Sequence, residues 1–153
     1  MTDLPRIGWR EWVGLPELDV SRVKAKVDTG ARSSSLHAYD IEVFSRGRRD
    51  FVRFKVHPIQ RETKTTIRCV VELHEHRHVR SSSGHREYRP IIRTLLELGG
   101  ETWPIDLTLT ARDAMGFRML LGREAIRNRF VVDPGQSYLF RELVPKRKKR
   151  KQR

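Results

Sequence analysis

The segment from Val23 to Gly30 places the strongest constraint on the fold of this chain. Apolar residues alternate with lysines up to Val27, and Asp28-Thr29-Gly30 follows directly. Alternation with a period of two is typical of a half-buried β-strand, and Asp-Thr-Gly is typical of a tight turn. Because Gly30 has no Cβ, another stretch of chain can approach the turn closely. The segment therefore predicts a strand that delivers a carboxylate into a turn.

Most of the remaining chain is also a series of short β-type runs separated by turn residues. Such a pattern predicts an all-β barrel or sandwich. One short helix is predicted at Arg123–Asn128, directly after the apolar run Met119–Gly122. The other predicted strands are Ile7–Val13, Asp40–Phe44, Asp50–Val56, Thr65–Leu73, Pro90–Leu98, Thr102–Leu109, Val131–Val132 and the closing strand Ser137–Phe140.

The net charge of +13 is unevenly distributed along the 153 residues. Of the 32 basic residues, seven lie in Lys146–Arg153, where no acidic residue occurs, which leaves 25 against 19 acidic residues elsewhere. We therefore expect one domain, residues 1–145, followed by a basic disordered tail at residues 146–153. The tail is a candidate for a weak contact with nucleic acid through phosphate groups.

Cysteine content and hydropathy indicate the compartment. Cys69 is the single cysteine, so no internal disulfide can form, and no apolar run approaches the length that crosses a membrane. The amino-terminal residues also lack the apolar core of a secretion signal. We expect a soluble, cytoplasmic protein that has no membrane partner.

Several ordered motifs resemble those of a bacterial family of retropepsin-like aspartic peptidases. Besides Asp28-Thr29-Gly30, they are Val79–Gly84, Arg89-Pro90, Trp103–Leu109, Met119–Arg123 and Val131–Pro134, within residues 6–140. The family is often labelled an ATP-dependent zinc protease family and is associated with ATP-grasp ligases of the ribosomal-protein-modifying type. The resemblance implies the acid-protease fold, which is an all-β closed barrel with one short carboxyl-terminal helix.

The resemblance also implies which residues form the site. The catalytic group would be the turn itself, Asp28, Thr29 and Gly30. The substrate would contact residues after this turn and at the tip of a flap-like hairpin, namely Ala31, Ser33, Ser82, Ser83 and Gly84. Support for the loop or for a dimer interface would come from the end of the later apolar strand, at Gly122 and Arg123.

Hydrolysis of a peptide by carboxylates needs one group to activate water and one to protonate the leaving side. The sequence contains one Asp-Thr-Gly and no second copy of this motif. We therefore expect a homodimer in which each subunit contributes Asp28 to an aspartic peptidase site. No cofactor is expected, and any use of ATP would come from a ligase partner because the chain has no P-loop pattern. A non-catalytic peptide-binding module of the same fold is the alternative.

A second alternative is a zinc metallopeptidase, because His74, Glu75 and His78 match the H-E-x-x-H pattern. This pattern binds catalytic zinc on a helix, where both histidines share one face. Here the flanking residues instead predict a strand and a turn. Because no helix is predicted here, we expect no catalytic metal. On a strand, the side chains of His74, His76 and His78 would share a face, and these residues are weak candidates for a metal site without a catalytic role.

Overall fold

The computed structural model describes residues 3–59, 64–80, 84, 86–111 and 116–140, and it consists mostly of β-strands. The elements in chain order are β1 (Arg6–Gly8), β2 (Arg10–Leu15), a 3-10 turn (Pro16–Leu18), β3 (Val20–Asp28), β4 (Ser34–His37), β5 (Tyr39–Arg46), β6 (Arg49–Val56), β7 (Ile67–Glu72), β8 (Glu75–Arg80), β9 (Arg86–Leu98), β10 (Glu101–Thr110), β11 (Met119–Gly122), α1 (Arg123–Ile126) and β12 (Val131–Asp133).

Six strands form a closed barrel in the order β10-β4-β11-β3-β2-β9, and pairing of β9 with β10 closes the ring. The β9–β10 hairpin turns at Gly99 and Gly100, which both have positive φ, a conformation that glycine adopts without steric strain. Strand β8 extends the sheet beyond β9 as an antiparallel partner. The predicted all-β closed barrel with one short helix is confirmed.

One face of each barrel strand packs into a common hydrophobic core. In β3, Val23, Ala25 and Val27 are buried while the lysines between them are only partly buried, as a period of two requires. The neighbouring strand β11 contributes Met119 and Leu121 to the same core. Packing on this face fixes the carboxyl end of β3 relative to the rest of the barrel.

A separate antiparallel sheet, in the order β5-β6-β7, covers part of the barrel core. Its inner face contributes Val52, Phe54, Val56 and Cys69, which are buried in the same hydrophobic cluster as the barrel residues. The first two strands, which correspond to the predicted runs Asp40–Phe44 and Asp50–Val56, pair as an antiparallel hairpin.

The amino-terminal run is two strands rather than the single strand that the sequence predicts over Ile7–Val13. Strand β1 pairs in parallel with β12, whereas β2 pairs antiparallel with β3. Trp9 lies between them, and its N–H donates to the Gln136 carbonyl at 2.9 Å while its carbonyl accepts from the Val27 N–H at 2.8 Å. The run is divided because its two halves have different partners.

The predicted closing strand Ser137–Phe140 is wrong, because this segment is not a strand. Glu11 on β2 is completely buried, and its carboxylate accepts the N–H groups of Leu139 at 3.0 Å and Phe140 at 3.3 Å. The same carboxylate accepts the N–H of Gly8 at 2.7 Å. The N–H groups of Leu139 and Phe140 are thus satisfied by a side chain, while the Tyr138 N–H donates to the Arg10 carbonyl at 3.0 Å, and no strand ladder forms.

Part of the predicted organisation lies outside the described residues. The structure describes nothing of residues 141–153, so the domain limit at residue 145 and the basic tail stay predictions. No helix in the described ranges has the length and apolar character needed to cross a membrane. The cytoplasmic location also stays a prediction.

Candidate active site

Asp28 is the last residue of β3 and lies opposite Gly122, the last residue of β11, in a parallel strand pair. The aspartate is half-buried, whereas Thr29 and Gly30 after it are exposed. Side chains at a packed strand are held in position more precisely than side chains on a free loop. The end of β3 therefore presents one carboxylate in a defined place at the protein surface.

Backbone donors of the turn hold this carboxylate. Oδ1 of Asp28 accepts the N–H of Gly30 at 3.0 Å and the N–H of Ala31 at 3.2 Å. A Cβ placed on Gly30 would lie 3.2 Å from the same Oδ1, which is closer than ordinary van der Waals contact. The Asp-Thr-Gly turn thus fixes the orientation of the carboxylate.

The turn from β11 into α1 packs directly against the loop that follows Asp28. The N–H of Arg123 donates to the Ala31 carbonyl at 2.8 Å, and Nη1 of Arg123 donates to the Thr29 carbonyl at 3.1 Å. The N–H of Gly122 donates to Oγ of the buried Ser34 at 3.0 Å. The structure therefore places Gly122 and Arg123 against the loop, while their part in a dimer interface stays a prediction.

A cavity of about 310 Å³ lies beside the loop, between α1 on one side and β8, β9 and β10 on the other. Three arginines line it, Arg32, Arg77 and Arg93, together with the carboxylates of Asp106 and Glu124. Arg32 lies 3.4 Å from Glu124, and Arg93 lies 3.8 Å from Asp106. These side chains are exposed, so their ion pairs contribute little to stability and can exchange for contacts with a ligand.

The predicted substrate-contact residues are divided between the loop and the hairpin. Ser33 lines the cavity and Ala31 is half-buried in the loop next to it. Gly84 lies at the tip of the β8–β9 hairpin with φ of +84°, is exposed, and does not line the cavity. Ser82 and Ser83 lie outside the described residues, so their contacts stay predictions.

Sequence reasoning did not assign Arg77 and Arg93 to the site. Arg77 lies on β8 and Arg93 on β9, and they reach one cavity only because the two strands pair with the register that puts Glu75 opposite Ile91. In a hairpin such as β8–β9 the register depends on the length and conformation of the turn, which the pattern of the strands alone does not specify. Arg93 lies on the predicted strand Pro90–Leu98, but Arg77 lies on none of the predicted strands, so the sequence contains no joint signal for the two arginines.

The H-E-x-x-H pattern is not on a helix: Glu75 and His78 lie on β8, and His74 directly precedes this strand. His74 lies 3.9 Å from the Asp106 carboxylate, whereas the rings of His76 and His78 both pack against Tyr88 with centroid distances of 5.5 Å. In the part of the chain that the structure describes, no group of three histidine, cysteine or acidic side chains is placed to hold a metal ion. The strand conformation therefore lacks the helix on which the zinc metallopeptidase alternative relies.

Comparisons with known proteins point to one family. A family model described as "RimB-like: Retropepsin-like aspartic endopeptidase RimB" matches residues 6–142. Two proteins named "Probable alpha-L-glutamate ligase" are also similar, one from Shewanella pealeana with 46% identity over 136 residues and one from Parasynechococcus marenigrum with 49% over 137 residues. They match 89% and 90% of this chain, but the chain spans only 30% and 29% of their lengths.

A solved structure shows the same fold. Lpg0085 from Legionella pneumophila, described as a protein with unknown function, matches with a TM-score of 0.72 at 26% identity. The match covers 90% of this chain and 98% of that chain, so the similarity extends through nearly all of both proteins.

Proposed function

This chain belongs to the RimB-like family of retropepsin-like aspartic endopeptidases, and we propose that it is a homodimeric aspartic peptidase with one Asp28 from each subunit in the catalytic dyad. The turn at Asp28 carries this proposal, since Oδ1 is fixed by two backbone donors at the end of a barrel strand. Within the described residues no donor contacts Oδ2, which leaves that oxygen for water or for a second carboxylate. Thr29 and Gly30 are exposed, so a second copy of the turn has access.

The dyad supplies both proton transfers of peptide hydrolysis. Two carboxylates at hydrogen-bonding distance share one proton, because two like charges that close are unfavourable. The ionised carboxylate takes a proton from water while the water oxygen attacks the peptide carbonyl carbon, and the protonated carboxyl donates to the carbonyl oxygen. The C–N bond then breaks as a proton passes to the leaving nitrogen, which gives one carboxylic acid and one amine. No covalent intermediate forms and no cofactor takes part.

An acidic, glutamate-containing peptide is the substrate class that we propose. Arg32, Arg77 and Arg93 line the cavity beside the loop that follows the turn, and a guanidinium group binds a carboxylate through two parallel hydrogen bonds. The net charge of +13 further favours encounters with acidic chains. The names of the similar glutamate ligases support the same chemistry. A ligase of the ATP-grasp type would then be the partner that makes glutamate-containing chains and uses the ATP.

Cleavage of matched peptides tests the proposed activity. Peptides with a run of glutamates are compared with peptides in which glutamine replaces each glutamate, from about pH 3 to about pH 8. The glutamate peptides should be cleaved, and Asp28→Asn should lower turnover by about 10²- to 10⁴-fold, the range of acid–base catalysis. Asp50→Asn is the matched control, because Asp50 is an exposed aspartate on β6 that hydrogen-bonds Ser45.

Different results separate the parts of the proposal. Cleavage that survives Asp28→Asn undiminished would refute the dyad. Peptide binding without turnover at any pH, equal in the unaltered chain and in Asp28→Asn, would establish the non-catalytic binding module. Equal cleavage of glutamate and glutamine peptides would remove the acidic substrate class and leave the dyad intact. Sedimentation at the assay concentration tests the dimer, since a fully active monomer contradicts a shared site.

A further inference from the structure

The β5-β6-β7 sheet has an outer face that differs sharply from its apolar inner face. Strand register places Phe44 opposite Phe51 and Arg46 opposite Arg49, and residues directly opposite in an antiparallel pair share a face. On the neighbouring strand β7, Val70 lies opposite Arg53 and is therefore on the same face. Val70 is 58% exposed, so this face of the sheet is exposed to solvent. We name the surface the outer β-face and define it by Phe44, Arg46, Arg49, Phe51, Arg53 and Arg68.

Two phenylalanine rings and two guanidinium groups form a continuous array on this face. The rings of Phe44 and Phe51 are half-exposed and stacked, with centroids 5.9 Å apart and planes at 24°. The Arg53 guanidinium lies 4.5 Å from the centre of the Phe44 ring. The Arg46 guanidinium lies 5.7 Å from the Phe44 ring and 5.9 Å from the Phe51 ring. Aromatic rings and planar guanidinium groups are the surfaces on which unpaired nucleobases stack.

The charge of the face adds an attraction for phosphate. Arg49 and Arg53 lie 4.0 and 3.5 Å from exposed glutamates, and such exposed ion pairs exchange readily for other anions. Neither Arg46 nor Arg68 forms an ion pair with a carboxylate in the described ranges. Arg48 adds a further exposed cation at the tip of the β5–β6 hairpin. Cations beside flat rings are the combination that binds single strands without strong sequence preference.

We propose that the outer β-face binds single-stranded nucleic acid, with bases stacked on Phe44 and Phe51 and phosphates on the surrounding arginines. An acidic protein fits less well, since its carboxylates would use the arginines but not the two rings. The site is independent of the peptidase proposal, because the sheet lies outside the closed barrel and its outer face does not line the cavity beside Arg32, Ser33 and Ser34. It also differs from a contact through the basic tail, which contains no aromatic residue.

Fluorescence anisotropy of the full chain with a labelled oligouridylate of about 12 nucleotides tests the site. Phe44→Leu with Phe51→Leu keeps apolar volume but removes the flat rings, and should weaken binding at least about fivefold. Affinity for a heparin fragment, an anion without bases, should not change. Arg46→Gln with Arg53→Gln should weaken binding of both the oligouridylate and the heparin fragment. For the oligouridylate, the slope of log affinity against log salt concentration should fall by about 1.4, because two phosphate contacts on a single strand are lost. Arg129→Gln is the matched control, since its guanidinium lies 4.5 Å over Trp103 elsewhere on the protein, and it should leave oligouridylate binding within about twofold.

Three outcomes would overturn the proposal. One is unchanged affinity in the leucine variant together with loss of binding when Lys148, Lys149 and Lys151 become glutamine, which assigns binding to the tail. Another is an unchanged leucine variant with displacement of the oligonucleotide by polyglutamate, which assigns the face to an acidic protein. Should the leucine variant fail to fold, the exposed pair Arg46→Gln and Arg53→Gln decides the matter, and an unchanged salt slope refutes the site. Peptide cleavage should be unaltered in all of these variants.

Discussion

The replacement Gly122→Ala tests whether the loop that carries Asp28 is held by steric fit against β11. A Cβ on Gly122 would lie 2.4 Å from the Ser33 carbonyl oxygen and 2.5 Å from its carbonyl carbon. Both are backbone atoms, so no side-chain rotation relieves the overlap, and either β11 or the loop has to move. The same movement would stretch the hydrogen bond from the Gly122 N–H to Ser34, whose length is 3.0 Å.

Two contributions set the magnitude of this effect. Adding a methyl group to a filled site costs about 1–3 kcal/mol, and loss of a buried hydrogen bond adds about 1 kcal/mol. We therefore expect Gly122→Ala to lower the free energy of unfolding by about 2–4 kcal/mol. Because Asp28 pairs with Gly122 across the two strands, the carboxylate should also shift, and a shift of about 1 Å reduces turnover by about 10²-fold.

Urea unfolding followed by tryptophan fluorescence measures the free energy of unfolding, and the peptide assay measures the change in turnover. Gly135→Ala is the matched control, because its Cβ would meet only the Asp133 side chain at 3.5 Å, an ordinary contact. Its free energy of unfolding should stay within about 0.5 kcal/mol of the unaltered chain. Equal unfolding midpoints for the two alanine variants would refute the argument that Gly122 fits where no larger residue can.

Two further predictions concern buried groups. Glu11→Gln should lower the free energy of unfolding, measured by urea unfolding, by about 2–4 kcal/mol. The reason is that a neutral amide weakens the hydrogen bonds from the N–H groups of Gly8, Leu139 and Phe140. A change below about 0.5 kcal/mol would contradict this prediction. Burial raises the pKa of the Cys69 thiol to about 11. Since the thiolate is the reactive form, mass spectrometry should show iodoacetamide alkylation at about pH 8 roughly 100-fold slower in the folded protein than in urea, and equal rates would refute it.

The sequence predicts most strands because alternation and turn residues act over short distances. The predicted run Asp50–Val56 differs from β6 by one residue at one end, and the predicted Met119–Gly122 coincides with β11. The segment Ser137–Phe140 also has a β-type pattern, but the N–H groups of Leu139 and Phe140 donate to the Glu11 side chain, which lies 128 residues before Leu139 in the chain. Local patterns therefore fail where a distant polar group replaces the strand partner.

The candidate site divides along the same line. The turn after β3 is specified by three consecutive residues, and the resemblance to a family supplied the support at Gly122 and Arg123. The arginines of the cavity come together only through the register of β8, β9 and β10. In the same way Phe44 and Phe51 form one surface only because the β5–β6 hairpin pairs them. Binding surfaces made of cross-strand neighbours depend on register, and in these hairpins the turn and the hydrophobic pattern of the paired strands set the register together.

Charge at the cavity acts through orientation more than through affinity. Arg32 and Arg93 already face Glu124 and Asp106, and Arg77 lies 3.0 Å from Glu75. A substrate carboxylate that binds one of these arginines replaces a carboxylate of the protein, so the net gain in binding free energy is small. The proposed preference for acidic peptides would then come from faster encounters with a basic protein and from forked hydrogen bonds that set the register of the peptide beside Asp28.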